Sequence, residues 1–146
     1  MGNTSTAWCR CRDRIHVYDW CEDYEKYLAI SDIYLDTYPS GGGFTLFDAA
    51  LSHIPIISFS DDITKEFDQC EWNIAQELMS KESVILVDRY NIMGIKNVIR
   101  RLYYDIDYRK YIGNRGYEYV TDLRKGVRNN VKKIEELYIR LVNDLL

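Results

Sequence analysis

Three consecutive glycines, Gly41-Gly42-Gly43, run into Thr45 and Asp48, and this spacing carries the most chemistry in the chain. Residues without a β-carbon let an anion reach the main chain, and a helix opening there presents unsatisfied N–H groups. Gly42, Gly43, Phe44 and Thr45 therefore read as a seat for a diphosphate, with the Thr45 hydroxyl as an added ligand. Asp48, within the same helix, supplies a carboxylate that can accept from two vicinal hydroxyls, which suits a ribose. Taken singly, the glycines are also an ordinary strand-to-helix turn and Asp48 an ordinary surface acid. The turn is neither a Walker loop nor the G-x-G-x-x-G dinucleotide pattern. A second loop, Trp20, Cys21 and Glu22, has the aromatic ring and main chain to border a base; Trp20 serves equally well as a core side chain.

These residues need a scaffold, and the apolar pattern supplies one. Residues 14–20 alternate apolar and polar side chains and read as a strand, and 22–30 as a short helix with acids in its first turn. A strand over 33–36 feeds the glycine turn, a helix follows over 44–52, and 54–59 is an apolar strand buried on both faces. A helix over 68–79, a strand over 84–87 and helices over 91–104, 107–121 and 127–146 complete the chain. Gly113, Gly116 and Gly126 punctuate that last part. Strands alternating with helices predict an α/β fold: a Rossmann-like parallel sheet with flanking helices and a helical C-terminus. Residues 1–13 show no periodicity and form an irregular segment before a single domain over 14–146.

Composition narrows the function classes. With 146 residues, 47% hydrophobic and 29% charged, the chain can bury a core and is neither disordered nor fibrous. A net charge of −4 argues against nucleic acid as a partner, since counterion displacement needs a basic face. The late cations Arg124, Lys125, Arg128, Lys132 and Lys133 read as a solvated helix face. Cys9, Cys11, Cys21 and Cys70 with two histidines lack a zinc-ligand spacing, so no metal is expected and the thiols read as free. No apolar run approaches the ~20 residues of a membrane span. Residues Met1 to Thr6 fit a loose myristoylation pattern too short to decide anything. The expected location is the cytoplasm, with a peripheral place at the inner face of a membrane as the alternative.

The run from Leu35-Asp36 through Pro39, Gly41-Gly42, Gly43-Phe44-Thr45 and Asp48 to His53-Ile54-Pro55-Ile56 resembles the C-terminal, donor-binding half of GT-B glycosyltransferases. Within these it is most similar to the O-GlcNAc-transferase type. The resemblance covers residues 14 to 146 and weakens after Phe59. Two residues depart from the pattern: Phe44 stands where Thr is common, and His53 where Gly is common. The resemblance implies half of a GT-B fold that binds a UDP-sugar as donor substrate, without a separate cofactor. It would place the diphosphate at Gly42, Gly43, Phe44 and Thr45, the ribose at Asp48 and the uracil beside Trp20, Cys21 and Glu22. The acceptor site would belong to an N-terminal domain outside this chain, so catalytic residues are unknown and the chain alone is expected to turn over no acceptor. The basic group that such enzymes set against the leaving diphosphate has no candidate by resemblance. The alternative is a non-catalytic α/β interaction module; a bilobal phosphosugar epimerase is less favoured because it too needs the missing half.

By the same resemblance the four strands are strands three to six of a sheet ordered 3-2-1-4-5-6. The three later strands should stay adjacent and parallel. The gap beside 33–36 is expected to close either with residues 14–20 or with a second copy of the chain, giving a homodimer through the exposed sheet edge.

Overall fold

The computed structural model describes residues 14–18, 21–37, 43–60 and 74–144. The expected irregular start, Trp20, Pro39, Gly41, Gly42, Cys9, Cys11, Cys70 and the first part of the helix expected from residue 68 lie outside them. The elements in order are α1 (Tyr24–Ala29), β1 (Tyr34–Leu35), α2 (Thr45–Leu51), β2 (Ile56–Ser60), α3 (Ile74–Leu78), β3 (Ile85–Asp88), α4 (Ile92–Tyr104) and α5 (Ile106–Asp144).

The three strands form one parallel sheet in the order β1-β2-β3. Tyr34 pairs with Ile56 and Ile57 with Ile85, so the apolar run of β2 is the central strand, covered on both faces as its composition requires. On one face Leu46, Ala49 and Ala50 of α2 pack with Ile54, Ile56, Ile74, Val84 and Val120. On the other, Ile57 and Val87 meet Leu102, with Ile95, Val98 and Tyr108 beside them. The chain is thus a mixed α/β unit, Rossmann-like at the level of a parallel sheet between helices.

Three sequence expectations are corrected. Residues 15–18 are exposed and not in a strand, so among the described residues nothing pairs with the outer edge of β1, where Leu35 is exposed. Val17 and Ile15 have no sheet face to cover, and alternation over so few residues does not create one. Second, the helices expected over 107–121 and 127–146 are one 39-residue helix. Gly126 sits within it with open space around it, and one glycine costs only about 1 kcal/mol against a long helix.

Third, Gly113 is a packing residue. A β-carbon there would lie 2.1 Å from the carbonyl oxygen of His53, so α5 touches the main chain at the end of α2. That end is a Schellman turn: the His53 N–H donates to the Ala50 carbonyl and the Ile54 N–H to the Ala49 carbonyl. His53 takes the left-handed conformation (φ 57°) that the turn demands, which explains why glycine suits this position. The strain is offset by its ring, which stacks on Tyr117 at 4.0 Å and bonds through Nδ1 to the Asn114 side chain at 2.8 Å.

These contacts fix the path of α5. It passes the amino edge of the sheet, with Gly113 at His53 and Pro55 and Gly116 at Ala50 and the Ser83 carbonyl. It then runs back along α2, where Val120 joins the core, toward Phe44 and Phe47 at the beginning of α2. Because α2 starts after β1, that beginning lies at the carboxyl edge.

Candidate functional site

Parallel sheets bind ligands beyond the carboxyl ends of their strands. At that end of β1 stands Asp36, 4% exposed. Its carboxylate accepts from the Ser58 hydroxyl of β2 at 2.6 Å and from the Thr37 N–H at 2.9 Å. A buried carboxylate with two donors clamps the strand ends, and the chain then turns toward α2. Gly43, the last residue before Phe44, has φ 71°, so the turn re-enters the helix through a left-handed residue.

Asp48 lies in the first turn of α2 and is half-buried. The phenol of Tyr24, from α1, donates to its Oδ2 at 2.7 Å. That bond, followed by burial and the negative charge of Asp48, raises the Tyr24 pKa above its ordinary value, so the phenol keeps its proton. An ionised carboxylate offers about four acceptor positions, and Tyr24 uses one of them while fixing the orientation of the rest. Thr45, at the start of the same helix, shares a hydrogen bond of 2.8 Å with the Tyr34 hydroxyl of β1. Its hydroxyl is therefore held against the sheet. The Tyr34 pKa is also raised, chiefly by burial.

Asp48 opens onto a cleft of about 570 Å³ between α2 and α5. Phe44 and Phe47 form one wall, their rings stacked at 5.8 Å, and Phe44 is 69% exposed. Val120, Leu123 and Val127 of α5 form the other, flanked by Arg124 and Arg128. Four residues apart on one helix, the two guanidiniums stand on the same side. Neither has an ion pair among the described residues. One carboxylate and two guanidiniums leave the cleft with a local excess of positive charge in a chain whose net charge is −4.

The structure thus brings Phe44 and Asp48 into one cleft and sets Gly43 and Thr45 immediately before and within its α2 wall. Gly42 and Trp20 lie outside the described residues. Cys21 is half-buried with a free thiol, and Glu22 is exposed. Their loop leads into α1, where Tyr24 reaches Asp48. Three residues were missed by reading the sequence. Tyr24 belongs to no motif in the sequence, and Arg124 and Arg128 read there as part of a solvated helix face. The signal for the arginines was their alternation with Val120, Leu123 and Val127 at helical spacing, which marks a cationic rim along an apolar stripe. Among the described residues no group of histidine, cysteine or acidic side chains could hold a metal ion, and no helix is long and apolar enough to cross a membrane.

No family model matches the chain, and no significant match was found among curated proteins or solved structures. The functional reading therefore rests on the residues themselves.

Proposed function

We propose that the chain is the donor-binding half of a UDP-sugar-dependent glycosyltransferase of GT-B type, acting with an acceptor domain outside this sequence. The observation that carries the reading is Asp48: a carboxylate in the first turn of the helix after β1, oriented by Tyr24 and facing a cleft of nucleotide size. In this reading the ribose hydroxyls donate to Asp48, and the diphosphate lies toward Gly42, Gly43, Phe44 and Thr45. The Thr45 hydroxyl is held by Tyr34, so it contributes through the shape of the turn as much as through a direct bond. The base borders the loop of Trp20, Cys21 and Glu22. Transfer in such an enzyme is positioning plus stabilisation of a leaving diphosphate, and this chain supplies the donor part of that arrangement alone.

The test is thermal unfolding with and without nucleotide. UDP at ten times its dissociation constant should stabilise the fold by about 1.4 kcal/mol through mass action alone. A melting temperature unchanged by millimolar UDP would contradict donor binding and leave the interaction module. That second reading has its own support in α5, whose Val131, Ile134, Tyr138 and Leu141 form an uncovered apolar stripe.

A further inference from the structure

We propose that Arg124 and Arg128 of α5 form the anion-binding pair for the diphosphate of a nucleoside diphosphate whose ribose is held by Asp48. The inference rests on the donor reading of Asp48 and supplies the cationic element that the glycine turn lacks.

The path of α5 carries the argument. Gly113 and Gly116 allow the helix to lie against the end of α2 and the loop before β3, and no bulkier residue could keep that contact at Gly113. From there the helix runs back along α2, and Val120 is anchored in the core. One turn further, Leu123, Arg124, Val127 and Arg128 line the cleft that Phe44 and Asp48 line from the other side. Beyond the anchored part of α5, Arg124 and Arg128 line the cleft toward the beginning of α2, whereas Lys125 between them pairs with Asp122 and does not line it. Phe47, Leu123 and Val127 line the cleft beside the two arginines, so the guanidiniums border a partly apolar surface. Paired guanidiniums match phosphate oxygens in geometry and remain charged at any pH the fold survives. Asp48 cannot neutralise both, and its carboxylate is already oriented by Tyr24. Lys132 and Lys133, further along the same helix, do not line the cleft, which provides an internal control.

The experiment is calorimetric titration of the whole chain with uridine, UDP and inorganic pyrophosphate, comparing wild type with Arg124→Gln/Arg128→Gln and Lys132→Gln/Lys133→Gln. Both arginines are exposed, and unchanged melting temperatures will confirm that the variants fold. The expected result is that the arginine double variant loses roughly tenfold or more in UDP affinity, the scale of charge-assisted hydrogen bonds, while uridine binding is unchanged. Pyrophosphate binding should fall with UDP binding. The lysine variant should bind all three like wild type. Equal loss in the lysine variant would show a long-range charge effect and overturn the pair, as would wild-type UDP affinity in the arginine variant. Failure of the donor reading looks different: wild type then binds pyrophosphate through the arginines and gains nothing from a uridine moiety.

Discussion

The phenol of Tyr24 donates to Oδ2 of Asp48 at 2.7 Å, joining α1 to the first turn of α2. Tyr24 thereby fixes the carboxylate proposed to receive a ribose, without being placed to contact the nucleotide. Tyr24→Phe should keep the fold and weaken UDP by about threefold to tenfold, the worth of one ordinary hydrogen bond. The loss should appear equally with uridine, because it acts through Asp48. A Tyr24→Phe protein that binds uridine as well as wild type would remove Tyr24 from the site.

Gly113 and Gly126 occupy the same helix and should respond oppositely to alanine. At Gly126 a β-carbon meets nothing within 4 Å, so the helix-propensity gain of up to about 1 kcal/mol should raise the melting temperature. At Gly113 it would meet the His53 carbonyl at 2.1 Å, and overpacking of this kind costs about 1–3 kcal/mol, more than the propensity returns. Thermal melts of Gly113→Ala and Gly126→Ala decide this. A stabilised Gly113→Ala would mean that α5 does not lie against α2, and the cleft would lose its second wall.

The alkaline limb of stability should belong to tyrosines. Tyr24, Tyr27 and Tyr34 all have pKa values raised in the folded protein, the first mainly by its bond to Asp48 and the others mainly by burial. A group with a raised folded value contributes stability that is fully present below its unfolded value of about 10 and is lost as pH rises through the folded value. Melting temperatures should therefore change little on this account up to about pH 10 and fall above it. In Tyr34→Phe the fall should be shallower. An equally steep alkaline decline in that variant would assign the effect elsewhere.

Much of the scaffold was legible because local pattern and tertiary role agree. Ile54 to Phe59 is almost wholly apolar, and such a run fits a central parallel strand, which it proves to be. The helix after the glycine turn follows from the alternation of element types, while the adjacent, parallel order of the three strands was what the resemblance implied, and the sheet has it. The strand expected over 14–20 is absent at 15–18 because alternation over a few residues says nothing about whether a partner edge is present. The glycines of α5 were misread because a glycine that permits close packing and one that ends a helix are identical in sequence; the His53 carbonyl distinguishes them, and it lies 60 residues upstream. At the site, Asp48 could be found from its spacing to the turn. Tyr24 could not, since it meets Asp48 only through the packing of α1 beside α2, and the two arginines carried only the weaker signal of helical alternation with Val120, Leu123 and Val127.

The central claim, that Asp48 receives the ribose of a nucleotide, is tested most directly by calorimetry of UDP on wild type and Asp48→Ala. Two charge-assisted hydrogen bonds worth about 1.5–3 kcal/mol each are at stake, so UDP should bind wild type and bind Asp48→Ala at least about tenfold more weakly. Removing a carboxylate also leaves the cleft more positive, and by charge alone this would tighten an anion. The two effects thus have opposite signs. Weaker binding by the variant supports the ribose contact; equal or tighter binding, or no UDP binding by wild type at millimolar concentration, contradicts it.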